Sequence, residues 1–93
     1  MDKEKIKSIE TKYWNGEKKI ITYYLSGNKS SIYFRNKYGK KHGAFYHFYE
    51  NGNVHLKGFY YNGMTHEEWL EMSETGEILR KEQWLNGNFQ EEK

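Results

Sequence analysis

Histidine and carboxylate are the side chains in this sequence that could hold a metal or move a proton: His42, His47, His55 and His66, with Glu67, Glu68, Glu71, Glu74, Glu77 and Glu82 crowded toward the C-terminus. The chain has no cysteine, so a zinc site would need about three or four of these groups to converge. Their phase argues against convergence. His42 and His66 each stand three residues after a glycine, Gly39 and Gly63, which makes them one position of a repeat and gives them a structural role. His47 and His55 flank Asn51-Gly52, and a two-residue turn there pairs His47 with Leu56 and His55 with Phe48, on opposite faces of a hairpin. The glutamates alternate between faces in the same way. Glu71 falls opposite Arg80 across Thr75-Gly76, a cross-strand ion pair worth at most about 1 kcal/mol. No serine stands with a base as an activated nucleophile, and no glycine-rich phosphate loop opens a helix. The expectation is a non-enzymatic chain with no catalytic residues, no metal and no cofactor.

The elements that position these residues are read from turn signals. Tyr60-Tyr61-Asn62-Gly63 returns 24 residues later as Trp84-Leu85-Asn86-Gly87, with Tyr13-Trp14-Asn15-Gly16 as an earlier form. A second glycine series, Gly27, Gly52 and Gly76, lies between at spacings of 25 and 24. Two turns per period mean two strands per repeat. Asn51-Gly52, Asn62-Gly63 and Asn86-Gly87 read as two-residue hairpin turns, because Asn-Gly tolerates the positive φ such turns demand. Ser26-Gly27 and Thr75-Gly76 are weaker versions. The intervening runs alternate aromatic or aliphatic with polar residues, the period of half-buried strands.

This reading predicts an all-β fold: an elongated, twisted, single-layer antiparallel β-meander of stacked hairpins, one domain over 1–93. Its units are a partial one at 8–16, then 17–39, 40–63 and 64–87. Seven strands are expected, near 8–14, 18–25, 29–35, 43–49, 54–61, 67–73 and 78–85. Asn36 to His42 splits the Asn-Gly pair and is expected to be a longer, mobile loop.

Cross-strand opposition sorts side chains onto two faces. One face receives Ile20, Tyr24, Tyr33, Phe45, Tyr49, Val54, Leu56, Tyr60, Trp69, Ile78 and Trp84, with Phe89 a candidate addition beyond the final turn, and the other Ile21, Tyr23, Ile32, Phe34, Tyr46, Phe48, Phe59, Tyr61, Leu70, Met72, Leu79 and Leu85. Neither face is purely polar, so something must cover one of them: curling of the sheet, a partner, a second copy or a terminal helix. Phe45, Tyr49, Tyr60, Trp69 and Trp84 share a side and are the candidate partner-binding residues, or else the internal core.

Aromatics make up 18% of the chain, and proline and cysteine are absent, which excludes a disulfide framework. The start of the sequence has no apolar export segment and no window has the roughly 18 apolar residues of a membrane span, so a cytoplasmic location is expected. Residues 1–42 hold 11 Lys or Arg against 4 Asp or Glu, and residues 43–93 hold 4 against 9. Stacked in order, the repeats would give a positive and a negative end, able to orient a partner or promote head-to-tail self-contact. The basic stretch 12–41 interleaves lysines with aromatics as single-strand nucleic-acid binders do. The aromatics recur as densely in the acidic half, so no nucleic-acid partner is expected; the same basic stretch would suit an anionic lipid surface.

The stretch Gly39-Lys40-Lys41-His42-Gly43-Ala44-Phe45, continuing through Tyr49-Glu50-Asn51-Gly52 to Tyr60-Tyr61-Asn62-Gly63, resembles a variant MORN repeat. The unit from His66 to Gly87 is similar, with Trp69 where the previous unit has Phe45 and Glu67 in place of the expected glycine. Earlier units match less closely, Ile20 standing at the Trp position. The resemblance implies a twisted sheet of stacked hairpins without catalysis, used for protein contacts and sometimes proposed for lipid contacts. Bacterial proteins with this variant are often labelled antitoxins of toxin–antitoxin pairs, which would make the partner a toxin. A structural homo-oligomer, such as a homodimer, and a peripheral module at an anionic membrane are the alternatives.

Overall fold

The structure is a computed structural model that describes residues 5–90, with side-chain surroundings from Ser8 onward. It is all-β. Eight strands run β1 (Lys5–Lys12), β2 (Lys18–Tyr24), β3 (Lys29–Arg35), β4 (Lys41–Phe48), β5 (Val54–Tyr61), β6 (Met64–Met72), β7 (Ile78–Leu85) and β8 (Asn88–Gln90). They form one sheet in strictly sequential order, every neighbouring pair antiparallel. β8, which adds Phe89 opposite Trp84, goes beyond the seven strands expected. The described residues contain no helix, so among them none covers either face or is long and apolar enough to cross a membrane.

Two turn chemistries alternate with the strands. At Asn62-Gly63 and Asn86-Gly87 both residues take positive φ, 48° and 87°, 48° and 86°, and Tyr61 pairs with Met64 and Leu85 with Asn88. These are the two-residue turns that Asn-Gly predicts. Asn51-Gly52 is not one of them. Gly52 N–H donates to the Tyr49 carbonyl and Tyr49 N–H to the Asn53 carbonyl, closing a three-residue loop with glycine at its left-handed position (φ 96°). The same bonds close the loops at Gly16, Gly27, Gly39 and Gly76. Asn36–Lys40 is therefore an ordinary member of this class and not a longer insertion; the Asn36 side-chain oxygen accepts from Tyr38 N–H and Lys40 N–H within it. Tyr13 and Trp14 fall in such a loop instead of ending a strand, and Trp14 is 98% exposed.

The odd loop length shifts the register by one residue, and a β-bulge restores it two steps on. Phe48 pairs with Val54 but His47 with Leu56, so His55 is skipped; Ser30 and Leu79 are skipped in the same way in the hairpins closed by Gly27 and Gly76. A further bulge recurs where β3 meets β4 and β5 meets β6, at Gly43 (φ 110°) and Glu67 (φ 63°).

Successive hairpins are tied at both edges of the sheet. The Tyr24 hydroxyl donates to the Phe48 carbonyl (2.5 Å), and the Tyr49 hydroxyl to the Met72 carbonyl (2.7 Å). Asn28 donates to the Glu50 carbonyl, while Asn51 and Asn53 both donate to that of Glu74. On the opposite edge Gly63 N–H donates to the Lys41 carbonyl and Gly87 N–H to that of Thr65. There the repeated histidines act as caps: Asn62 N–H donates to His42 Nδ1 (3.1 Å) and Asn86 N–H to His66 Nδ1 (3.3 Å), the structural role their phase implied.

The result is a plate of 42 × 37 × 19 Å with a radius of gyration of 14.3 Å, against about 12 Å for a compact globule of this length. Its apolar core is thin. Among the described residues only Ile20 and Trp69 are buried hydrophobics, both on the same face, with Thr22, Ser30 and Ser31 as the buried polar groups beside them.

Candidate functional site

The face that carries Ile20 is organised in two bands. The first is an aromatic seam. Tyr33 and Phe45 are cross-strand partners with ring centroids 6.3 Å apart, and Phe45 in turn lies 5.6 Å from Tyr60, edge-on, and 5.6 Å from Trp69. Tyr60 meets Trp69 edge-on at 5.1 Å, the geometry ring quadrupoles favour. Phe45 is on β4 and Trp69 on β6, so their contact needs a gap in the strand between. Gly58 supplies it: a Cβ there would lie 2.0 Å from the Trp69 ring. The indole lies over the bare β5 backbone, its Nε1–H donating to the Phe59 carbonyl (3.2 Å), and is 7% exposed. Burial pushes the Tyr60 phenol above its usual pKa.

Of the five residues expected to act together, Phe45, Tyr60 and Trp69 form this mutual cluster. Trp84 lies along the same face, edge-on to Phe89 at 5.6 Å, with its Nε1–H donating to Glu82 (3.2 Å). Tyr49 stands apart, its hydroxyl tied to the Met72 carbonyl and its ring 4.6 Å from that of His55.

The second band is polar and crosses the sheet beside the first. Thr22 Oγ1 is hydrogen-bonded to the hydroxyls of both Ser30 and Ser31, and Ser31 is the cross-strand partner of His47. His47 Nδ1 and His55 Nδ1 are 3.1 Å apart, which corrects the expectation that these rings occupy opposite faces. The bulge at His55 is the reason, since the skipped residue joins Leu56 opposite His47. A hydrogen bond between two Nδ1 atoms requires one imidazole to be the donor and the other the acceptor. His55 Nε2 is 3.5 Å from Glu71, whose other oxygen accepts from Arg80 Nη2 (2.9 Å) and Nε (3.2 Å), the ion pair foreseen from the turn spacing. The Arg80 hydrogen bonds and charge, seconded by His55, hold the Glu71 carboxyl below the usual carboxylate range despite opposing desolvation. Among the described residues no three His or carboxylate groups are placed to share a metal ion.

A lysine sits within the seam. Lys41 Nζ lies 5.2 Å from the ring centroid of Tyr33, 5.7 Å from Phe45 and 5.2 Å from Tyr60, a three-sided aromatic seat for an ammonium group. Neither this seat nor the polar band was read from the sequence. The first could be found by noting that Arg35 and Lys41 bracket Tyr33 and Phe45 in the register; the second needs the bulge. Beyond the seam toward the C-terminus the face opens into a hollow of about 230 Å³ between Leu56, Trp69 and Trp84, rimmed by Glu71, Arg80 and Glu82. No protein-family model, curated protein or solved structure matches this chain.

Proposed function

We propose that this chain is a non-catalytic repeat module that binds a protein partner through the face bearing Phe45, Tyr60, Trp69 and Trp84. One observation carries the reading: the sheet is a single layer, and its C-terminal half leaves apolar side chains in solvent. On the Trp84 side, its cross-strand partner Phe89 is 51% exposed, and Leu79, the residue skipped at the bulge before Arg80, is 58% exposed. Ile78 and Leu85 are 59% and 51% exposed on the reverse side, and isolated domains seldom leave such apolar surface uncovered. The polar groups that would otherwise suggest catalysis are engaged with one another, His55 and Arg80 on Glu71 and Ser31 on Thr22. The resemblance of 39–63 and 64–87 to variant MORN repeats supports the same reading, and within it the partner is a toxin neutralised by binding in the cytoplasm.

Co-expression with a toxic protein from a neighbouring gene tests it: growth should be restored and the two proteins should co-purify. Failure of both results removes the antitoxin reading. A second reading, a homo-oligomer, is favoured by the charge separation, because sequential strand order turns the basic and the acidic half of the described residues into opposite ends of one sheet. Solution mass decides between them; a dimer that persists on dilution and buries Trp84 supports the second.

A further inference from the structure

The repeat lets one unit report on the ligand of the next. Displaced by 24 residues, Lys41, Phe45 and Tyr60 become Thr65, Trp69 and Trp84; displaced by 25, as Gly27 is from Gly52, Tyr33 becomes Gly58. In the earlier unit the seat among the rings is filled by the chain's own Lys41 ammonium. In the later unit Thr65 is too short to fill it, and the hollow between Trp69 and Trp84 is what remains. Its walls are better suited to a cation than those of the filled seat. Tryptophan is the strongest aromatic partner for an ammonium group, and the rim holds two carboxylates, Glu71 and Glu82, against one guanidinium, Arg80. Glu71 is satisfied by Arg80 at 2.9 Å, whereas Glu82, on the rim of the hollow, lies 3.8 Å from Arg80 and accepts the Trp84 indole N–H at 3.2 Å, so its charge is the less fully neutralised of the two. The surrounding half of the molecule carries the net negative charge, which attracts the same ligand from a distance.

We infer that the hollow between Trp69 and Trp84 is a lysine-receiving site, taking the side-chain ammonium and methylenes of a lysine that a protein partner presents, as the preceding repeat takes Lys41. The methylene stem lies against Leu56 and the indoles, and the ammonium is shared between the Trp84 face and Glu82. The inference rests on the protein-binding reading for the source of the lysine, while the site's chemistry can be measured without any partner.

The test is an NMR titration of the indole and Glu82 resonances with N-acetyl-lysine methylamide, using N-acetyl-norleucine methylamide, which keeps most of the stem and lacks the ammonium, as the comparison. Saturable shifts at Trp69 and Trp84 are expected for the lysine compound, with affinity at least about tenfold above the norleucine compound. Thr65→Lys should seat its own ammonium in the hollow and abolish the lysine response. Glu82→Gln, which leaves the aromatic walls in place, should weaken lysine binding about fivefold and leave norleucine unchanged. Equal response to the two compounds, or full lysine binding in a folded Thr65→Lys protein, overturns the inference. Loss of the lysine response while a partner still co-purifies removes this site alone; a lysine response with no protein partner keeps the site and removes the function proposed above.

Discussion

Glu67 holds a left-handed backbone, φ 63°, at the bulge where its counterpart Gly43 holds 110°. A side chain with a Cβ costs about 1–2 kcal/mol there, and glycine gives back about 0.5–1 through its unfolded-state freedom. Glu67→Gly should therefore raise stability by about 0.5–1 kcal/mol, seen as a higher urea midpoint at unchanged slope; a fall would show that Glu67 makes a compensating contact. The missing glycine was legible in the repeat, whereas the reason the chain wants one, a bulge, was not. Glu71 supplies a pH test. Its folded pKa is depressed, so the Arg80 and His55 contacts stabilise fully above the unfolded glutamate value near 4.5 and are lost as pH falls through the folded one. The stability difference between the parent and Glu71→Gln should shrink as pH falls below about 5. A difference that grows on acidification below that point would contradict the sign. The meeting of His47 and His55 escaped the sequence because Asn51-Gly52 is spelled like Asn62-Gly63 yet closes a loop one residue longer; a single misplaced residue reverses every face assignment until the bulge resets it.

Each hairpin depends on its neighbour more than on itself, since a free two-stranded ribbon is marginal in water. Tyr24→Phe and Tyr49→Phe each delete one hydroxyl bond to the next hairpin's carbonyl, and each should cost about 0.5–1.5 kcal/mol by chemical denaturation. Similar losses are expected because the two residues occupy one repeat position, 25 apart. Gly58 is the tighter constraint. Gly58→Ala would set a methyl carbon inside the Trp69 ring, forcing the indole off β5, and should destabilise by about 1–3 kcal/mol with a change in the Trp69 environment. The strands, their order and the two Asn-Gly turns at 62–63 and 86–87 were readable because alternation and turn residues are local signals. The seam was only half readable: one-sidedness of Phe45, Tyr60 and Trp69 follows from the turns, but a ring crossing a strand over Gly58 is a packing event that no periodicity encodes.

The whole molecule is a plate whose thickness allows almost nothing to be buried, so its surface is its chemistry. Sequential strand order converts a charge bias along the chain into opposite ends in space, and the acidic end is where the Trp69–Trp84 hollow opens. Binding through this face predicts that Trp84→Ser weakens a co-purifying complex by about tenfold or more, whereas Tyr46→Ser, on the opposite face beside Phe48, leaves it intact. The reverse pattern would move the interface to the other side. All of this depends on which rings share a face, and side-chain NOEs from the indoles read that directly. Trp69 should show contacts to the Gly58 Hα protons and to the rings of Phe45 and Tyr60, and Trp84 to Phe89. Contacts from Trp69 to Tyr46 or Phe48 in their place would contradict the arrangement on which the proposed binding face is built.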